Sequence, residues 1–272
     1  MSRVFKYVTD RHQMSAIDSQ KYIARQVRDH DYDRYFATLF CPTEQRPALL
    51  AIYAFNIEIA TIRETVSETW IGQMRLQWWR DTIDAVFDER PSNHPVAAAL
   101  GDAISSCEIP RQPFDHMIDG RELDLTGIPR DDPVALESYV DATSSSVVQL
   151  ALAVLGACGE NAEHLAHHAG LAWGLTGLLR SMPFQSSQRN DGQQLDLPEN
   201  TAASVLGHLE TAREIQTGVQ RQALGAILPV ACVPPYLERL ARAAGDPFAP
   251  GLGLSRFSRQ WRMTMAAFRG RI

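Results

Sequence analysis

The sequence predicts an all-α, single-domain helical bundle, and three observations carry the expectation. Apolar residues recur at spacings of three and four nearly throughout, the mark of helices with one dry face. No stretch alternates apolar and polar residues in the strand manner. No internal repeat or long linker divides the 272 residues, a length that one large domain can fill. The expected core spans about 16–245, followed by a basic helix at about 255–269.

Taken in order, AIYAFNIEIATIRETVSE (51–68) reads as one long buried helix, striped by Ile52, Phe55, Ile59, Ile62 and Val66. Leu76, Trp79, Ile83 and Val86 stripe the next. NHPVAAALGDAISSC reads as a helix started by Asn93 with Pro95 in its first turn. PFDHMIDGRELDL gives a shorter helix. DPVALESYVDATSSSVVQLALAVLG opens on an Asp-Pro start and closes at Gly156. AEHLAHHAGLAWGLTGLLRSM follows, with Pro183 expected to end it. The polar, aperiodic FQSSQRNDGQQLDL (184–197) reads as an exposed loop. Helices resume across 199–245, with interruptions expected at Pro229 and Pro234-Pro235, and a final helix runs from Ser255 to Arg269.

The net charge of −6 does not advertise nucleic-acid binding. Only Lys6 and Lys21 are lysines among 26 basic residues, so most cations are bidentate arginine forks. Cys41, Cys107, Cys158 and Cys232 are dispersed without a CxxC pair, which argues against a disulfide framework or cysteine zinc site and for a reducing compartment. The first thirty residues contain no apolar h-region and no run of 18 apolar residues exists, so neither a secretory signal nor a membrane span is expected. A cytoplasmic protein is the expectation.

Four features carry candidate chemistry or contacts, each with a plain structural alternative. In DGRELDL, Asp119 and Glu122 are close enough on a helix for acid–base work, but Arg121 between them points to an ion-paired helix end. Trp78 and Trp79 point about 100° apart on a helix, so one can be core and the other a surface anchor beside Arg75 and Arg80. His164, His167 and His168 include an i, i+4 pair, but no nearby partner completes a ligand set, and they read as helix-surface histidines. In SRFSRQWRMTMAAFRGRI, Phe257, Trp261, Met265 and Phe268 form one stripe among Arg256, Arg259, Arg262, Arg269 and Arg271. That fits an interfacial helix on an anionic membrane, or a last core helix with an arginine-rich outer face.

DYDRYFATLFCPTEQRPALLAIYAF, MRLQWWRDTIDAVF…HPVAAAL, DHMIDGRELDL and GLAWGLTGLLR occur in an order and spacing that resembles the squalene/phytoene synthase family, over roughly 20–200. The resemblance implies an all-helical isoprenoid-synthase fold. In the family's enzymes, two Asp-x-x-x-Asp-like motifs face each other and hold Mg²⁺ against a diphosphate. Here the first motif falls on Ala60 to Glu64, with Ala60 and Thr61 where aspartates are implied and only Glu64 acidic. The second falls on Ser181 to Gln185. Two neighbouring polar positions fall on Gly174 and Gly177. These glycines, with Gly170, read as close packing or as a reshaped pocket. Glu64 then reads as a solvated helix residue or a partner of Arg63 or Arg180.

RDHDYDRYFATLF, YAFNIEIATIRETVSE and IGQMRLQWWRDTIDAVF resemble one branch of that family, the mitochondrial respiratory complex I assembly factors and their bacterial relatives. The resemblance implies a non-catalytic protein without resident metal or cofactor. Its partners would be complex I subunits or other assembly factors, with peripheral contact to an anionic inner membrane, on the matrix side in eukaryotic relatives. The alternatives are a Mg²⁺-dependent prenyltransferase, or a lipid or isoprenoid binder. Polar groups expected to border the old cavity are Tyr53, Asn56, Glu64, Asp119, Arg121 and Arg180. Surface candidates for a partner or membrane are Trp78, Arg80, Phe257, Trp261 and Arg262.

Overall fold

A computed structural model describes residues 16–187 and 197–272, all of whose regular structure is helical. Residues 1–15, part of the stretch read as lacking a leader, and 188–196, most of the expected loop, lie outside the described residues, as does the side chain of Gln185.

The described residues begin with α1 (Ala16–His30) and α2 (Tyr32–Thr38). Asp31 separates them and caps α2, accepting from the Arg34 N–H at 3.3 Å and its guanidinium at 2.7 Å. Then come α3 (Arg46–Ala60), the single turn α4 (Ile62–Thr65), α5 (Thr69–Phe87), α6 (Pro95–Ser106) and α7 (Gln112–Thr126). Asp132 caps α8 (Pro133–Val140) by accepting from the amides of Val134 and Ala135. A π-helical turn, Asp141–Ser145, joins it to α9 (Ser146–Val154). Next are α10 (Glu160–Ser187), α11 (Thr201–Ile215), α12 (Val233–Arg242) and α13 (Arg256–Arg269). Ser255 caps the start of α13, and Gly270, at φ 72°, closes it in the left-handed conformation.

The core is built around α3 and α9. Ten of the fifteen residues of α3 and eight of the nine of α9 are buried, so each is enclosed on several sides rather than along one stripe. α9 touches α3, α7 and α10, linking the two helices that carry the motif positions. At its flank the ring of Phe55 meets Trp79 and Phe114 edge-on, at centroid distances of 5.1 and 5.4 Å. Such pairs add about 0.5–1.5 kcal/mol each beyond the area they bury.

Four boundaries depart from the sequence reading. The helix expected over 51–68 ends at Ala60. Thr61 folds its hydroxyl back onto the Ile57 carbonyl at 2.8 Å, Thr65 does the same to Thr61 at 3.0 Å, and Val66 is extended. This side-chain competition for backbone acceptors bends and stops helices. The cap of α6 is His94 rather than Asn93. Pro183 lies inside α10, which runs to Ser187 and so takes in the first residues of the expected loop. A proline removes one N–H donor and its hydrogen bond, and here the helix continues past it. Pro234 and Pro235 begin α12 instead of interrupting a helix, where a missing N–H costs nothing. The break falls earlier, in the 3₁₀ turns Gln216–Gly218, Arg221–Ala226 and Leu228–Cys232.

Candidate functional site

The two motif positions lie at the far ends of α3 and α10. Ala60 is the last residue of α3, and Thr61, the helix cap, donates its hydroxyl to backbone carbonyls. Glu64 stands exposed on α4, and among the described residues no ion pair joins it to Arg63 or Arg180. Ser181 donates its hydroxyl to the Leu178 carbonyl at 2.9 Å. Mg²⁺ wants an octahedron of hard oxygens and is held in proteins chiefly through carboxylates. These positions present one exposed carboxylate, a methyl group and two hydroxyls turned to their own helices. They do not fit a magnesium–diphosphate cluster.

The glycines beside the second motif divide into two kinds. A Cβ on Gly170 would stand 2.3 Å from Ser145 Cα, and one on Gly174 would stand 2.4 Å from Val140 Cγ1 and 2.8 Å from Ser144 Cβ. There α10 presses against α8 and the π-turn. Ser144 and Ser145 clamp the contact by donating to the carbonyls of Gly170 and His167 at 2.8 and 3.0 Å. Gly177 is exposed, with nothing within 4 Å of a Cβ, so close packing accounts for two of the three glycines.

The six polar candidates do not form one site. Tyr53 is buried in α3, where burial pushes its phenol pKa well up, and the Arg34 guanidinium lies 5.8 Å from its ring centroid. Asn56 and Arg121 do meet. Arg121 reaches Asp124 at 3.0 Å, Tyr139 at 3.5 Å and the Asn56 carbonyl oxygen at 3.4 Å, while Tyr139 donates to Asp124 at 2.6 Å. Burial disfavours the Arg121 charge, but Tyr139 and Asp124 more than offset this and hold its pKa above the ordinary value. Burial likewise keeps Tyr139 protonated. Arg121 and Asp124 neutralise one another here, though the buried Arg121 Nε has no acceptor, and the plain role of the knot is to fasten α3, α7 and α8. Glu64, Asp119 and Arg180 are exposed, and Arg180 lies over the Trp173 ring at 5.8 Å. Asp119 and Glu122 both bind Arg80, at 2.6 and 2.9 Å. Asp119 and Glu122 are thus ion-paired, but through Arg80 of α5 and not through Arg121, which pairs with Asp124, and Arg80 is not a free cation for a partner.

Two outer faces are apolar instead. On α5, Trp79 is 3% exposed and Trp78 45%, so the adjacent tryptophans split into core and surface. Trp78 continues a line that the sequence reading missed, through exposed Trp70 and Met74 at i−8 and i−4. That four-residue spacing was the available signal. On α13 the aromatics face outward: Phe257, Trp261 and Phe268 are 75%, 57% and 78% exposed. The inward seam is Met263 and Ala266, against Ala37, Leu228 and Cys232. Arg259 also turns inward, gripping both oxygens of buried Asp33 at 2.7 and 2.6 Å, and Arg256 lies over the Tyr32 ring at 3.5 Å. The tail is thus a core helix through its small and charged side, with its greasy side exposed. Arg262, Arg269 and Arg271 are exposed beside it. Among the described residues, no helix is long and apolar enough to cross a membrane.

Known proteins share this architecture. The structure superposes on a dehydrosqualene synthase with a TM-score of 0.74, covering 93% of this chain and 97% of that one at 15% identity. It superposes on a squalene synthase from Alicyclobacillus acidocaldarius with a TM-score of 0.70, covering 88% and 99% at 17% identity. At those identities the likeness is one of fold. In sequence, the chain is 29% identical to the NADH dehydrogenase (ubiquinone) complex I, assembly factor 6 of Bos taurus, over 92% of this chain and 84% of that protein. It is 30% identical to the Rattus norvegicus protein of the same name, over 90% and 83%. A presqualene diphosphate synthase of Rhodopseudomonas palustris is 30% identical over 54% of this chain and 53% of that enzyme. Residues 27–203 match the squalene/phytoene synthase family, and the chain belongs to that family.

Proposed function

We propose that this protein is a non-catalytic squalene/phytoene synthase relative that serves the assembly of respiratory NADH:ubiquinone oxidoreductase, complex I. One observation carries the reading. The likeness to complex I assembly factor 6 extends over nine-tenths of the chain, and the positions expected to hold Mg²⁺ carry Ala60, Thr61 and Ser181. Work without chemistry needs surfaces, and the chain offers two. The line Trp70–Met74–Trp78 on α5 has the residue types that anchor protein interfaces. The aromatic face of α13, with Arg262 beside it, has the composition of a helix lying on an anionic membrane. The protein would sit peripherally at the inner membrane, where complex I is built, without magnesium chemistry at the motif positions.

The test is a gene deletion in a host that can live without complex I, followed by membrane NADH oxidase activity and the amount of assembled complex. Loss of both, restored by the wild-type gene, is expected; normal assembly sinks the proposal. In parallel, purified protein is incubated with farnesyl or geranylgeranyl diphosphate and Mg²⁺. No diphosphate release is expected, and Mg²⁺-dependent turnover would establish the prenyltransferase alternative instead. For the membrane contact, Phe257→Ala/Trp261→Ala is expected to abolish co-sedimentation with anionic vesicles, and unchanged sedimentation removes that part of the reading.

A further inference from the structure

Three imidazoles meet where α10 packs on α11. His167 and His168 are neighbours on α10, and His208 comes from α11, forty residues beyond His168. One ring nitrogen of each lies within 4.8 Å of those of the other two. Nδ1 of His168 and Nδ1 of His208 are 2.8 Å apart. The sequence reading saw only the α10 histidines and so found no complete ligand set.

Two of the rings are backed by carboxylates. Asp141 Oδ1 lies 2.7 Å from Nδ1 of His167, and Glu137 Oε1 lies 3.5 Å from Nε2 of His208. Glu137 is itself held by the Ser204 hydroxyl. A carboxylate on the far nitrogen fixes a metal-binding histidine's tautomer, aims its ring and raises its basicity. A simple hydrogen bond between His168 and His208 would account for two rings, but not for a third imidazole converging on them with its own carboxylate.

We propose that His167, His168 and His208 form a binding site for a divalent transition metal of the zinc class, with a fourth position open to water. This goes beyond the assembly role and does not depend on it. Zinc takes imidazole nitrogen at about 2.0–2.1 Å in a tetrahedron, which sets nitrogens about 3.3 Å apart. The 2.8 Å pair needs to part by only a few tenths of an ångström. With Nδ1 of His167 on Asp141, its Nε2 is the nitrogen left for the ion. Imidazole selects zinc, cobalt, nickel or copper over magnesium, so the site is unrelated in chemistry to the missing acidic motifs. The His167 side chain is 47% exposed, which leaves an entry path. An ion here would tie α10 to α11.

The test uses the full chain, stripped with chelator and titrated with Co²⁺ as the visible probe. One equivalent is expected to bind with the absorption of four-coordinate cobalt and no thiolate charge-transfer band, to be displaced by Zn²⁺ but not by Mg²⁺, and to raise the melting temperature. His168→Ala and His208→Ala should each weaken binding by more than about 100-fold, and Asp141→Asn by about 10–100-fold. Circular dichroism of the metal-free variants checks folding, with His208→Gln in reserve if His208→Ala does not fold. Absence of a four-coordinate spectrum, or a spectrum unchanged in folded His168 or His208 variants, overturns the proposal.

Discussion

Alanine at the three glycines of α10 tests whether close approach to the π-turn is what holds this part of the bundle. In a helix interior, Gly→Ala gains about 1 kcal/mol of propensity. At Gly170 that gain meets a wall. The new Cβ would stand 2.3 Å from Ser145 Cα, 2.5 Å from its Oγ and 2.7 Å from its Cβ, where carbon atoms prefer about 3.5–4.0 Å. Backbone cannot rotate away as a side chain does, so the whole turn must move. Overpacking of this kind costs about 1–3 kcal/mol. Loss of the Ser144 and Ser145 hydrogen bonds to α10 adds about 1 kcal/mol each. The net expectation for Gly170→Ala is a loss of about 2–4 kcal/mol. At Gly174 the obstacles are the side chains of Val140 and Ser144, which can yield, and the expected loss is about 0–2 kcal/mol. At Gly177 nothing opposes the methyl, and a gain of about 0.5–1 kcal/mol is expected. Urea unfolding of the three variants, with unchanged m-values, gives the comparison directly. A Gly170→Ala protein as stable as wild type, or a Gly177→Ala protein clearly weaker, would refute the packing argument.

Three further outcomes are expected. Arg121→Met strands Asp124 in the interior and should cost about 2–4 kcal/mol, less than a fully dry pair because both side chains keep slight exposure. Thermal melts check this, and adding Asp124→Asn should recover much of the loss. Arg259→Met leaves Asp33 buried and unpaired and should cost a similar 2–4 kcal/mol or about that, with α13 becoming sensitive to limited proteolysis, whereas Asp33→Asn/Arg259→Met should resist; equal cleavage of wild type and single variant would show that the ion pair does not hold the helix. Burial pushes the thiols of Cys41 and Cys232 up to about 11 and about 12, so near pH 8 their thiolate fractions are very small and grow only as pH rises toward those values. A thiol reagent should therefore label exposed Cys158 first and reach Cys41 and Cys232 only on unfolding, and four rapid equivalents on the native protein would contradict their burial.

What could be read from the sequence was local or periodic. The stripe of α5, the Asp132 start, the Gly156 stop and the bounds of α13 follow from chemistry within a few residues of each position. The empty motif positions could be read because a missing carboxylate needs no fold to be noticed. What escaped depended on distant partners. The end of α3 at Thr61 is a hydroxyl outcompeting helix continuation, a small effect decided in context. The seating of α13 depends on Asp33, 226 residues away, and a helical stripe alone does not say which side faces in. His208 joins His168 only once α10 and α11 are packed. Arg80 looked available until Asp119 and Glu122 arrived from α7.

The inverted seating of α13 has a consequence for how the protein responds to company. Because its rings contribute little to the fold from within, whatever covers them adds its binding energy on top of a structure that already stands. Vesicles or a bound partner should then raise the melting temperature in proportion to the logarithm of their concentration, while the naked chain behaves as a sticky one prone to self-association. Occupancy would tighten the helix onto the body from the outside, like a hand pressing a door already latched.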